Sequence, residues 1–139
     1  MLISNWIERL KATCPSLGNH VAGSVSLAVA QSESFRKPCA WVIYQGESAE
    51  VNFLMSGSMQ KITAQVGVYL AVKNNTHPIG TGYTTEFETV HAEILSALSG
   101  WTPTGCITPV DYVSGKHQGF DNMTLYWYGV FETTYYLES

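Results

Sequence analysis

The chain has 139 residues, 45% of them hydrophobic and only 13% charged, with seven Lys and Arg against eleven Asp and Glu for a net charge of -4. That length excludes a two-domain enzyme with a separate cofactor domain and gives one domain, 1–139, which at this size buries about 68 to 70% of its unfolded surface. No basic stripe is present, which excludes a phosphate-gripping nucleic-acid binder, and no apolar run approaches the roughly 20 residues that cross a bilayer.

Leu2, Ile3, Trp6, Ile7 and Leu10 recur at helical spacing and the run stops before Pro15, which predicts a short amphipathic lid or docking helix over 2–13. The same segment lacks a basic region ahead of a hydrophobic core, so no secretion signal is expected. Cys14, Cys39 and Cys106 form no C-x-x-C pair, and their odd count fits reduced thiols without disulfides. Val21, Val25, Leu27 and Val29 alternate with small residues as a first strand; after the polar QSESFRKP, Cys39 to Tyr44 is a second, and Ala49, Val51, Phe53 and Met55 alternate as a third. Ser56, Gly57 and Ser58 read as the turn of a hairpin whose second arm begins near Gln60. In that arm Ile62, Ala64, Val66, Val68, Leu70 and Val72 take the even positions and Thr63, Gln65, Gly67, Tyr69 and Ala71 the odd ones, predicting a strand with one core face and one that is not.

A loop over 73–84 leads to a helix in which Thr85 and Glu88 form a T-x-x-E capping box and Phe87, Val90, Ile94, Leu95 and Leu98 make one apolar stripe. Gly100 is its C-cap, followed by Trp101 and Pro103. Residues 106–114 read as a weaker strand that Pro109 confines to an edge. The last strand, 122–137, carries Met123, Leu125, Trp127, Phe131, Tyr135 and Leu137 on one face and Tyr126, Tyr128, Val130 and Tyr136 on the other. This order gives an α+β fold: a mostly antiparallel sheet of about six strands with two helices packed on one face. Repeats, low-complexity segments and linkers are absent from the chain.

The inventory for chemistry is thin. His20, His77, His91 and His117 show no zinc-ligand spacing, so no metal is expected, and Gly80 and Gly82 lack the third glycine of a dinucleotide fingerprint, so neither is a cofactor. Asn74-Asn75-Thr76 and Asn122-Met123-Thr124 match the glycosylation triplet by chance in a chain without a secretion signal. No GxSxG is present, and His91 and Glu93, two apart on the second helix, point to different faces, so no catalytic residue is expected. Aromatic surface is what the chain does offer. Aromatics on both faces of the last strand point to a cover for the second face, supplied by a loop, the first helix or a neighbouring subunit, or else to tyrosines that sit half-exposed. Tyr and Trp are enriched in interfaces and charge is depleted there, so Tyr126, Tyr128, Tyr136 and Tyr69 are candidate subunit-interface residues.

The first helix, the Pro38-Cys-Ala-Trp-Val-Ile block, the alternating 60–72 strand, the helix ending Leu98-Ser-Gly-Trp101-Thr-Pro103, then Tyr112-Val-Ser-Gly115 and the terminal Trp127 to Glu132 strand together resemble the tail terminator (tail completion) proteins of long-tailed bacteriophages. The resemblance covers almost the whole chain. It implies a structural, non-enzymatic virion protein at the head–tail junction, assembled in the host cytoplasm. Such a protein forms a homo-oligomer, a hexameric ring, on the last ring of the tail tube protein, stops tube polymerisation and offers a joining surface to head–tail connector proteins. DNA would pass as cargo, and Glu33, Glu47 and Glu50 are candidate channel-facing carboxylates that would repel it. The hairpin Met55, Ser56, Gly57, Ser58 and Met59 matches no motif and is the candidate tube or neck contact. The alternatives are another connector or minor tail protein, or a small hotdog-type thioesterase, which would place its long helix early in the chain and would be separated from both by thioester hydrolysis.

Overall fold

A computed structural model describes residues 2–26, 30, 38–50, 59–73, 81–121 and 124–138. In chain order the elements are α1 (Leu2–Thr13), β1 (Val21–Ser24), β2 (Cys39–Ala49), β3 (Met59–Lys73), α2 (Thr81–Leu98), β4 (Asp111–Asp121) and β5 (Thr124–Glu138). The strands form one five-stranded sheet in the order β1-β2-β3-β5-β4. β2, β3, β5 and β4 pair antiparallel, while β1 lies parallel to β2. Among the described residues the α+β class and the two expected helices hold, but the sheet is mixed and has five strands rather than about six.

The miscount has a local cause. Cys39 and Ala49 belong to a single strand, because a bulge between Tyr44 and Gly46 shifts the pleat by one residue and restarts the alternation without ending the pairing with β3. Leu27, Val29, Val51, Phe53, Met55 and the turn Ser56-Gly57-Ser58 lie outside the described residues. The expected 106–114 strand is displaced: pairing with β5 starts at Asp111 and runs to Asp121. Residues 106–110 instead hold β5 by threonines. The Ile107 amide donates to the Thr134 carbonyl at 2.8 Å, the Thr133 hydroxyl donates to the Thr108 carbonyl at 3.1 Å, and the Thr108 and Thr134 hydroxyls meet at 2.7 Å. β4 is an edge strand, although Pro109, which suggested an edge, lies before it in residues 106–110 and not within it. The second helix starts at Thr81, four residues before the proposed capping box, so Thr85 is a helical residue and cannot serve as N-cap.

Both helices bury their apolar stripes on the same face of the sheet. Trp6 and Leu10 of α1 and Val90, Ile94 and Leu98 of α2 share one cluster with Val66, Val68, Leu70 and Val72 of β3 and with Trp127 and Phe131 of β5. Arg9 ties the helices together: its Nε donates to the Ala97 carbonyl at 2.9 Å, one of the carbonyls left without a partner at a helix C-terminus, and its guanidinium lies 5.3 Å from the centre of the Trp101 ring. Trp101 meets Trp6 edge-on with centroids 6.0 Å apart. Gly100, at φ +85°, reverses the chain after α2, and its amide donates to the Val110 carbonyl at 2.9 Å. The GWxP motif is thus a helix stop whose tryptophan wedges α1 against α2.

β3 is not one-faced. Its odd side carries a second cluster in which Tyr69 and Ala71 pack with Ala30, Cys39, Trp41 and Ile43, so from Val66 to Val72 the strand is buried on both faces. The central place of β3 between β2 and β5 puts aromatic side chains from both neighbours over the face that alternation alone leaves open. Ile94 is fully buried beneath α2, and Ile94→Ala is expected to lose about 2 to 5 kcal/mol, read as a lower denaturant midpoint with an unchanged slope.

Candidate functional site

Local geometry decides which of the sequence-predicted residues are free for a partner. On the face away from the helices, Tyr126 stacks on Tyr69 with centroids 5.6 Å apart and planes 7° apart, and Tyr69 in turn lies 5.7 Å from Trp41. The Tyr128 ring lies across Gly67, where a Cβ would collide with it, so the glycine is what lets this ring lie flat over β3. Burial pushes the Tyr128 hydroxyl up from its ordinary pKa, against the lowering effect of a hydrogen bond with Gln45. Tyr69 is only 1% exposed and has no surface to give a second subunit, which removes it from the candidate interface. Tyr126 and Tyr128 are half-buried, and Tyr136, 48% exposed beyond the stack, is the freest of the set.

On the helix face, His91 and Glu93 diverge as their spacing requires. Glu93 accepts hydrogen bonds from the Ser16 amide at 3.0 Å and the Ser16 hydroxyl at 2.9 Å, locking the turn after α1 onto α2. Burial, reinforced by Glu93, pushes the Cys14 thiol up to about 11, which leaves it unreactive. His91 instead meets Trp127 edge-on at 4.8 Å and stacks on Phe87 at 5.1 Å, with His117 of β4 on Phe87 at 4.9 Å. Burial and the nearby His117 hold the His91 pKa below the ordinary histidine value of 6.5. Among the described residues no three His, Cys, Asp or Glu side chains converge as a metal site would require.

A third arrangement was not legible in the sequence. Because of the bulge after Tyr44, Glu47 shares a face with Tyr44, and its carboxylate accepts from the Tyr44 hydroxyl at 2.8 Å and from the Tyr135 hydroxyl, 88 residues away, at 3.0 Å. A cavity of about 240 Å³ opens beside these tyrosines, under the first turn of α1. The exposed Glu50 lies 3.8 Å from the half-buried Lys61. The two carboxylates proposed to face a channel are therefore engaged within the chain. Glu33, Met55, Ser56, Gly57 and Ser58 lie outside the described residues, and Met59 enters only as the first residue of β3, paired with Glu138. A glycine of positive φ at Gly46 is the single local trace of the bulge.

Exposed large apolar side chains lie toward the same end of the sheet, from the middle of the β3–β5 ladder to its Glu138 end. Apart from Val25 they are Tyr44, Ile107, Tyr112, Val113, Tyr136 and Leu137. Tyr112 pairs with Phe131, and the Ile107 amide reaches Thr134, so these residues flank the second half of β5.

The family model described as Phage tail terminator protein matches residues 2–139. Among solved structures, a chain of the virion of a native gene transfer agent particle shares the fold, with a TM-score of 0.65 and 12% sequence identity over 98% of this chain and 95% of that chain. No curated protein matches the chain in sequence.

Two substitutions separate the structural roles on α2. Glu93→Ala strands the Ser16 donors and is expected to cost about 1 to 3 kcal/mol of stability. His91 is neutral in the folded chain at pH values where the unfolded chain is protonated, so its contribution is present above about pH 6.5 and is lost as the pH falls through its lowered value. Melting temperatures recorded down this range should fall for the native chain and fall less steeply for His91→Phe. Parallel curves would show that His91 is not the group responsible.

Proposed function

The chain belongs to the phage tail terminator protein family, a family of phage tail structural proteins, and from that premise we propose that it forms a ring that caps the tail tube, ends tube polymerisation and presents the surface to which head–tail connector proteins join. The ring is a hexamer of this chain at the head–tail junction of the virion, built in the host cytoplasm, with DNA passing through it as cargo. The observation that carries this reading is the concentration of exposed apolar side chains at one end of the sheet in a chain whose charged fraction is 13%, about half the usual value. Such a patch marks a protein contact on an otherwise soluble domain.

A ring stacked on a tube needs two kinds of contact. The ring closes by a heterologous contact, in which one flank of each subunit meets the other flank of the next. Tyr136 is the anchor we assign to that contact, with the outer rings of Tyr126 and Tyr128 beside it. The other contact is axial, and the sheet end around Tyr44, Ile107 and Leu137 suits it. The exposed edge of β4 is less suited to open-ended pairing. It is broken by register shifts between Tyr112 and Ser114 and between His117 and Gly119, and it carries Lys116 in its middle, features that blunt an edge against unwanted strand addition.

Native mass spectrometry of the chain, alone and with tube protein, tests the ring: six copies of a 15.3 kDa chain give a species of about 92 kDa. Tyr136→Ala is expected to leave stability within about 0.5 kcal/mol of the native chain while abolishing that species. Tyr128→Ala, by contrast, uncovers Gly67 and the Tyr69 stack and should lower the unfolding midpoint as well. Normal rings from Tyr136→Ala would move the subunit contact elsewhere, and an absence of rings even with tube present would sink the capping role.

A further inference from the structure

Among the described residues no helix covers the sheet beyond the N-terminus of α1, and the cavity of about 240 Å³ lies at that boundary, walled by Leu2, Asn5, Tyr44, Gly105, Cys106 and Tyr135. It is smaller than the about 300 to 1,000 Å³ of a small-molecule site and suits a single side chain better than a cofactor. Gly105, at φ +88°, and Cys106, whose amide donates to the Pro103 carbonyl at 3.0 Å, close its floor as a fixed turn. Two aliphatic side chains toward this end of the sheet are about half exposed: Ile107, next to Cys106 in the chain, at 43%, and Leu137, on the same face as Tyr135, at 49%.

Charge decides what fits. Glu47 is held beside the cavity by the hydroxyls of two of its wall residues, Tyr44 and Tyr135. Those two bonds orient the carboxylate but use only part of its acceptor capacity, since each oxygen keeps a free lone pair. Among the described residues the ion pair is Lys61 with Glu50, and no cation meets Glu47. A preformed apolar cavity beside an oriented and uncompensated carboxylate is complementary to an aliphatic side chain with a neighbouring cation.

We propose that this end of the sheet docks a segment of a partner protein in which an aliphatic residue is followed directly by Lys or Arg, the aliphatic side chain filling the cavity and the cation meeting Glu47. The ring reading above supplies the role of this surface, as the axial contact, and gives that contact a chemistry. A phosphate backbone is the wrong occupant, because Glu47 and the net charge of -4 repel it.

The probe is the capped dipeptide N-acetyl-leucyl-lysine amide, titrated into the isotope-labelled full chain and followed by amide NMR. Saturable shifts are expected at Leu2, Asn5, Gly105 and Cys106. Replacing the probe's leucine by glycine should weaken binding about tenfold or more, and the isosteric Glu47→Gln should weaken it about two- to fivefold. A probe carrying glutamate in place of lysine should bind more weakly still. Unchanged core amides such as Val68 and Ile94 verify that Glu47→Gln remains folded, and weakening of the native complex by salt gives the charge dependence without any substitution. The proposal is overturned by an absence of saturable shifts at those amides, by equal binding of the lysine and glutamate probes, or by indifference to Glu47→Gln. Native mass spectra of the same samples keep the two readings apart: a ring that ignores the probe removes only the docking surface, and a chain that binds the probe without forming rings removes only the ring.

Discussion

The antiparallel ladder between β3 and β5 is the constraint on which the rest of the molecule depends. It runs unbroken from Met59 opposite Glu138 to Lys73 opposite Thr124, with β2 paired to one of its members, β4 to the other, and β1 attached through β2. β3 is buried on both faces from Val66 to Val72, and the chain builds a separate cluster for each: the helices on one side, the Trp41 and Tyr69 group on the other. Two glycines let large rings lie flat on this ladder. Gly67 accommodates Tyr128 on one face, and Gly129 accommodates Trp127 on the other. A side chain at either position would force its ring off the strand, so the same two residues that weaken a strand locally allow the aromatic cover that secures it.

Among the described residues the helix layer is anchored at one end of that ladder and does not extend over the other. Arg9, Ala97, Trp101 and Trp6 fix α1 to the C-terminus of α2, and Glu93 fixes the turn after α1 through Ser16. The last third of β5 projects past this layer and is flanked by loop 106–110, held on by Thr108, Thr133 and Thr134. Apolar side chains that a longer helix layer would have covered are therefore left at one end of an otherwise well-buried domain. In the ring proposed above, this exposed end of the sheet would join neighbours without refolding. Preformed geometry lowers the ordering cost of assembly.

Several features were legible in the amino-acid order alone. The alternation of Ile62 to Val72 and of Leu125 to Leu137 identified the two long strands, and for β5 it also identified the faces, with Trp127 and Phe131 inward and Tyr126, Tyr128 and Tyr136 on the other side. The stripe from Val90 to Leu98 and the stop at Gly100 located the second helix, although its start at Thr81 was missed. The resemblance to tail terminator proteins lay in the same elements. These features are local: a strand or helix reports its own burial through its own period, and a positive-φ glycine marks its own turn.

Only the tertiary structure decided the rest. The parallel placement of β1, the burial of Tyr69, the single span of β2 and the grip of Tyr44 and Tyr135 on Glu47 all depend on residues far apart in the chain, and on a bulge that reverses the face of every residue after Tyr44. Period tells which side of a strand is apolar, but not which strand lies beside it or what covers the opposite side. Tyr69 reads as surface from its own alternation and is buried because Trp41 and Tyr126 arrive from the strands on either side. Glu47 reads as a free carboxylate until pairing brings β5 past β3 and a one-residue shift in β2 turns it toward two hydroxyls. Strand neighbours and register are set by the summed packing of the whole sheet, so the sequence by itself determined the elements and their apolar faces, and the fold alone determined which faces remain open to a partner.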